Sequence, residues 1–403
     1  MRVLIVINSL VGGGTERSVA ETLTPLSDRG IEASVVCLES RPGLEDEVRR
    51  VGVPVEVLAT GSPTAVIRGL RRSIRSIDPD VVHTALFESD ILGRLATVGG
   101  RAAVLGSLVN TSYEPERLHD PNVRRSRLEA ARMLDGWTGR HLADHFHAVS
   151  QASKDSAVRR LGLDPAVITV VERGRDPARL GEPGRERRLR ARVALGIDED
   201  CGLLVTVGRQ EYQKDQLCLI EAMGLLAGRE NLIALVAGRT GNATDALARA
   251  RSASPVADRI RMLGQRDDVP EVLAAADVFV CTSRYEGLPG AVIEAMALGL
   301  PIVASAIAPI HEVVDPGLNA ELFPPGDAQA LAAALAKLLD DPARLGRMGD
   351  RSRKIFEDRF TLRRSLDRMV GLYEDVAGRG RRRRGLRGLR VRASGDRDAD
   401  GRV

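Results

Sequence analysis

The chain has 403 residues, of which 43% are hydrophobic, 28% charged and only 3% aromatic. That length predicts two domains with aliphatic cores, and no apolar run reaches the ~18 residues that a membrane span needs. The formal net charge of +4 hides a split, +7 on the segment from Gly378 and −3 on residues 1–378, which excludes a folded body that binds polyanions in general.

In chain order, strand and helix signals alternate. The opening MRVLIVINSL has one arginine and a short apolar run, and Gly12-Gly13-Gly14 and Glu16 follow at once. This predicts a first strand (3–7) and a turn, not a secretion signal. Residues 16–29 carry apolar positions at helical spacing and stop at Gly30. Apolar runs at 33–38, 53–58, 80–85, 102–109, 146–150 and 167–171 predict further strands, with amphipathic helices between most of them. Such short continuous runs describe a parallel sheet covered on both faces. Residues 178–198 break the rhythm with dense charge and with Gly181, Pro183 and Gly184, the expected linker and lead-in. Alternation resumes with strands at 203–208, 231–238, 259–263, 277–283 and 300–305. The fold class is therefore α/β, with two Rossmann-like, doubly wound domains, 1–190 and 191–360. Helical signal over about 342–377 has no strand after it, and its last part, 361–377, is expected to cross back to the first domain. Residues 378–403 have too few apolar side chains to fold and are expected to be disordered.

The four cysteines are scattered, without a CxxC pair. That argues against a zinc site or a disulfide framework and fits a reducing, cytoplasmic compartment. His145 and His147 share one strand face, but two ligands do not make a metal site.

In open parallel sheets, ligands bind beyond the carboxyl ends of the strands. In the second half those ends carry polar signals in four places: TVGRQEYQK, LVAGRTGN, RMLGQRDD and SRYEGLPGAVIEAM. The last turns through Gly287, Pro289 and Gly290 into a helix. Leu288, Gly290, Ala291 and Val292 can each offer a backbone N–H there, and a helix N-terminus attracts phosphate. Arg209 and Lys214 on a neighbouring strand end can neutralise the same phosphates. Glu294, one turn into the helix, suits a ribose diol, and Glu286 lies on the other side, where a sugar would be. A lone glutamate on a helix is usually solvated, and a lone glycine turn is a weak signal. Four parts in order on strand ends outweigh that bland reading.

The block SRYEGLPGAVIEAMALGLPIVAS, with VGRQEYQK upstream, resembles the EX7E motif of retaining GT-B glycosyltransferases of family 4. VINSLVGGGTER is similar to that family's amino-terminal glycine loop, and the likeness spans about 1–375. It implies a GT-B architecture. It also implies transfer of a sugar from a nucleotide-sugar to an acceptor hydroxyl with retention, in envelope polysaccharide, glycolipid or small-metabolite glycoside synthesis. It implies no cofactor and no metal, the nucleotide-sugar being a substrate. By resemblance, Glu286 contacts the donor sugar, Glu294 the ribose, and Arg209 and Lys214 the diphosphate. Leu288, Gly290 and Ala291 complete the donor site, and Gly13 and Gly14 let the first-domain loop approach it.

The chain departs from the family in three places. Where relatives carry an HxH-like pattern, His83 holds the first position and Ala85 the second. His83 either stays structural in its strand or approaches the reacting centre, and beside Glu286 it is the catalytic candidate. The usual Lys-Gly pair is Lys214-Asp215. The usual NGxD segment is Arg173-Gly174-Arg175-Asp176, whose arginines meet an anionic acceptor, meet the donor's phosphates, or are solvated. Asn110, Tyr113 and Arg173 are the expected acceptor-side residues. One rival reading is a non-catalytic sugar-nucleotide or glycan binder with the same fold. Another is a nicotinamide dehydrogenase, but GGGTE is not GxGxxG.

Residues 379–392 hold eight arginines and no acid. They are either a solvated end or an attraction to anionic lipid, which would set a cytoplasmic enzyme on the inner membrane face beside a lipid-linked acceptor. Without an aromatic residue the tail is not expected to bind nucleic acid.

Overall fold

Short aliphatic runs, buried on both faces, build two parallel sheets. The computed structural model describes residues 1–395 except 42, 59 and 60, with side chains as far as Arg379. The first sheet contains β1 (Arg2–Ile7), β2 (Glu32–Cys37), β3 (Val55–Val57), β4 (Val81–Ala85), β5 (Ala103–Leu108), β6 (His145–Ala148) and β7 (Ile168–Val170). Its order is β3-β2-β1-β4-β5-β6-β7. The second contains β8 (Gly202–Val207), β9 (Leu232–Ala237), β10 (Ile260–Gly264), β11 (Val278–Cys281), β12 (Ile302–Ser305) and β13 (Ala320–Phe323), in the order β10-β9-β8-β11-β12-β13. The sequence gives little warning of β13. It is four residues long at a sheet edge, and Glu321 interrupts its apolar pattern by pairing with Arg344.

Both sheets reverse strand order once, between β1 and β4 and between β8 and β11. Loops splay apart at such switch points and leave a crevice. Here the two crevices face one another.

The break between domains differs from the expected boundary at 190/191. That position lies inside the helix Arg185–Leu195, which belongs to the second domain. Its Ala191 is in that domain's core, and buried Arg192 bonds the Ala275 and Cys201 carbonyls and Asp277. A buried arginine is tolerable only when its donors are so used. The break falls in Gly181–Gly184, just after the helix Pro177–Leu180.

The chain then returns. The helix Pro342–Arg359 packs on the second domain through Met348, Ile355 and Phe356. After Phe360 and Thr361 the helix Leu362–Gly395 packs on the first, through Leu366, Met369, Leu372, Tyr373 and Val376. An aliphatic side chain so buried contributes about 1.5–3 kcal/mol, which makes this helix a strong tie between domains. The outgoing and returning strands bond each other, Arg175 N–H to the Phe360 carbonyl and Leu362 N–H to the Arg175 carbonyl. A Cβ at Gly174 would lie 2.4 Å from the Thr361 carbonyl oxygen, so only glycine lets the two crossings pass.

The last helix also corrects an expectation. Helix continues through Gly395, where a disordered segment was expected from Gly378. Arginine and leucine are good helix formers and extend a helix that is already nucleated. The side chains of the arginine run beyond Arg379, and residues 396–403 altogether, lie outside the described residues. Among the described residues no helix is long and apolar enough to cross a membrane. All four cysteines are buried and free.

Candidate active site

The loop after β8 starts the second-domain wall. Gln216, at the start of the next helix, donates to the Gly208 and Arg209 carbonyls at 3.2 and 3.0 Å and so ties that helix to the strand end. Asp215 before it has φ 46°, in the left-handed region. That conformation explains why the resembled family has glycine here, and aspartate is among the residues that tolerate it. Asp215 does not cap the helix; its carboxylate lies 2.9 Å from Arg284, and burial pushes it up to about 6 against that arginine's pull.

This geometry aims Lys214 at Glu286. Nζ lies 2.5 Å from Oε1, which also accepts from the Ser283 hydroxyl at 2.8 Å. Burial works against the ammonium, but the charge of Glu286 and the hydrogen bond that Lys214 donates to it outweigh it, so the Lys214 pKa is raised. Glu286 is itself buried, and its Oε2 has only a long 3.4 Å contact from Gln213. That oxygen retains capacity to accept a hydroxyl. Arg209, half-exposed, pairs with Glu211 at 2.6 Å.

The glycine turn leads into the helix Gly290–Ala297. Leu288, Gly290 and Ala291 line the cleft at its first turn, where N–H groups have no partner within the helix. Glu294, one turn on, meets two arginines that the motif alone does not reveal: Arg175 Nε at 2.7 Å and Arg179 at 3.3 Å. Both use Oε1. Arg179 also reaches Glu21 at 2.5 Å. Arg175 is 1% exposed, not solvated and not open to a ligand. Its guanidinium lies where a Cβ on Gly290 would stand, 2.2 Å away.

The first domain supplies the opposite wall. Gly12, with φ 68°, carries the backbone demand of the glycine loop. Gly13 is the extended N-cap of the first helix, and a Cβ on Gly14 would meet nothing within 4 Å. Gly13 and Gly14 do line the cleft, but the turn depends on their neighbour. Arg173, expected beside the acceptor, lines the cleft, donates to Thr15 in the first turn of the first helix at 3.0 Å and faces Glu16 and Glu286. Burial and the nearby Arg175 lower its pKa to about 10, so it stays charged at the junction of the two domains.

The walls touch at Gly287. A Cβ there would lie 1.9 Å from the Val109 carbonyl oxygen. Thr111 donates to the Glu286 carbonyl at 3.0 Å and Ser150 to the Gly287 carbonyl at 2.6 Å. Between the domains lies a cleft of about 1140 Å³. One arm runs into the first domain past Asn110 and Tyr113. Asn110 accepts from Thr111 N–H at 2.8 Å, and the Tyr113 hydroxyl donates to Asp135 at 3.0 Å. Behind them is a buried cluster that the sequence reading missed. Arg94, 2% exposed, lies 2.6 Å from Asp135 and 3.6 Å from Asp90. With one guanidinium between two desolvated carboxylates, burial pushes Asp90 up to about 7. The available signal was Asp90 and Arg94 four residues apart, on one face of the helix Phe87–Thr97.

His83 does not line the cleft, and its catalytic assignment is withdrawn. Its ring bonds Tyr373 at 2.8 Å and Ser107 at 2.7 Å, and Ser107 continues to His147 at 3.1 Å. His147 ends the chain on the Val171 carbonyl at 2.9 Å. Burial lowers His83 to about 3 and His147 to about 4, so both are neutral struts. His145 bonds Thr169 at 2.8 Å.

Two family sequence models match side by side and in the order of the domains. Glycosyltransferase Family 4 covers residues 12–179, and Glycosyl transferases group 1 covers residues 188–355. The two domains are those of a GT-B glycosyltransferase. A relative from Escherichia coli, UDP-Gal:alpha-D-GlcNAc-diphosphoundecaprenol alpha-1,3-galactosyltransferase, is 25% identical over 90% of this transferase and 94% of its own length. Alpha-maltose-1-phosphate synthase of Mycolicibacterium smegmatis is 27% identical over 86% of this chain and 95% of its own. Among solved structures, Anabaena HepE in complex with UDP and glucose superposes with a TM-score of 0.83 at 21% identity, over 93% of this chain and 99% of that one. That likeness shows the shared architecture of the transferase.

Proposed function

We propose that the transferase moves a sugar from a nucleoside diphosphate donor to an acceptor hydroxyl, with retention of anomeric configuration and without a bound metal. The observation that carries this reading is the Lys214–Glu286 pair, 2.5 Å apart below the first turn of the helix Gly290–Ala297 and opposite the glycine loop. As the bond from the anomeric carbon to the diphosphate breaks, negative charge grows on the leaving oxygen. Lys214, Arg209 and the N–H groups of Gly290 and Ala291 meet it, and Arg173 adds a cation from the first domain. Fixed groups of this kind in a dry site stabilise a transition state without reorganising. Glu294, held at Oε1 by Arg175 and Arg179, offers its other oxygen to the ribose. Glu286 offers Oε2 to a hydroxyl of the sugar. The acceptor enters along the arm lined by Asn110 and Tyr113 and attacks from the face that the diphosphate leaves, its proton passing to a departing phosphate oxygen.

HepE, which shares this architecture, forms a complex with UDP and glucose, so a uridine diphosphate sugar is the first donor to try. The E. coli relative's name includes a lipid diphosphate acceptor, which makes envelope or glycolipid synthesis at the inner membrane face the leading setting. The test is a thermal-shift panel of nucleotide-sugars, followed by NMR of the anomeric proton of the product. An α-linked donor should give an α-linked product. An inverted product would sink retention, and a panel with no stabilising nucleotide-sugar would sink the donor class.

A further inference from the structure

The helix Arg125–Leu142 has two unlike faces. Leu128, Ala131 and Asp135 look inward and line the first-domain arm of the cleft. On the outside Met133, Leu134 and Trp137 are 60%, 46% and 51% exposed. At about 100° per residue, Ala130, Met133, Leu134 and Trp137 form one stripe roughly 100° wide. The other large exposed apolar side chains lie apart, and among the described residues no other helix groups three of them. Trp137 is the chain's single tryptophan, and His141 lies against it at 5.3 Å.

The stripe is bordered by cations. Arg124, Arg125 and Arg127 are exposed at the start of the helix, and Arg140 and His141 at its end. Of the helix's own acids, Glu129 is paired with Arg132 at 2.8 Å and Asp135 is buried against Arg94. Neither offsets the arginines of the outer face. The last helix arrives beside the end of this one: Arg379 lies 3.5 Å from His145, three residues beyond Leu142. Seven more arginines follow in the sequence as far as Arg392.

An exposed aromatic and aliphatic stripe bordered by arginine, on a helix whose own two acids are both paired with arginines, is complementary to an anionic bilayer, with apolar side chains in the acyl boundary and cations among the headgroups. We infer that the outer face of the helix Arg125–Leu142 is a docking surface for anionic lipid. The inner face of the same helix walls the acceptor arm, so docking brings that arm to the headgroups. This consequence rests on the acceptor site proposed above, whereas docking itself does not.

Trp137 provides its own reporter. Full-length protein without donor is mixed with phosphatidylcholine vesicles that contain or lack phosphatidylglycerol, and its emission and flotation are followed. Anionic vesicles should shift the emission to the blue, brominated acyl chains should quench it, and the protein should float. Met133→Glu and Leu134→Glu should each weaken vesicle binding by about tenfold or more, with UDP binding unchanged. Flotation that both substitutions leave intact would overturn the proposal, because the arginine tail alone would then bind. It also fails if the emission shifts with protein concentration in the absence of lipid and Leu134→Glu abolishes a dimer, since the stripe would then meet a second copy. No response to vesicles overturns it too. UDP binding is read separately, so loss of docking and loss of the transfer reading are distinguishable.

Discussion

The two walls of the cleft hold their charges by opposite means. On the second-domain wall they stand at loop ends: Arg209 is 44% exposed and Lys214 25% exposed, each with one acidic partner nearby. On the first-domain wall Arg94 is 2% exposed and serves Asp90 and Asp135 together. A charge at a loop end shares its solvation with water and with a ligand, so it is available for chemistry. A charge in the core must be satisfied by protein, because desolvation is otherwise too costly. Substitutions on the second wall should therefore act mainly on turnover, and those deep in the first wall mainly on stability.

The largest test of that contrast is Arg94→Ala, which would leave two buried carboxylates without their cation. Stability should fall by about 3–5 kcal/mol in chemical denaturation. A loss under about 1 kcal/mol would put this cluster with surface pairs and erase the distinction. Next comes Lys214→Ala. Turnover should fall by about 10²–10³-fold while the variant still unfolds cooperatively; wild-type turnover would remove Lys214 from the leaving-group site. Gly287→Ala acts between the walls, since its Cβ cannot coexist with the Val109 carbonyl at 1.9 Å. Transfer should drop at least about tenfold as the domains part, with nucleotide binding by the second domain largely kept. Equal loss of both would mean that the turn itself had collapsed.

Titration sharpens the contrast. The Asp90 pKa is raised from 3.8 to about 7 by burial, so the native state keeps a proton that the unfolded chain releases. Between these values the native state binds more protons, and stability falls as pH rises. Asp90→Asn removes this dependence. The variant should gain on the wild type by at most about 1.4 kcal/mol per pH unit over that window. Parallel stability curves for the two proteins would show that Asp90 is ionised throughout.

Smaller differences should separate the two glutamates. Glu294→Gln should weaken free diphosphate and intact donor alike, and Glu286→Gln only the intact donor, as read by calorimetry. The smallest effect is expected from EDTA, which should leave transfer unchanged because the proposed phosphate ligands are side-chain cations and N–H groups. A complete loss that Mg²⁺ restores would replace them with a metal.

The sequence by itself determined the two parallel sheets, because continuous aliphatic runs between amphipathic helices have no other good way to bury both faces. It also determined most of the second-domain wall. Arg209, Lys214, Glu286, Leu288, Gly290, Ala291 and Glu294 stand in two short segments whose spacing is set by a strand end, a turn and one helical turn. Only the tertiary structure decided the rest. Glu294's arginines come from more than a hundred residues upstream and reach it because two interdomain crossings pass at Gly174. His83 sits in the expected segment but is buried away from the cleft, bonded to Tyr373 on a helix that returns from the other domain. Arg173 faces Glu286, and Asp90 shares Arg94 with Asp135, through contacts that no local spacing encodes. Short-range backbone geometry leaves its mark on neighbouring residues, whereas long-range electrostatics and packing join residues that are neighbours only once the chain has folded.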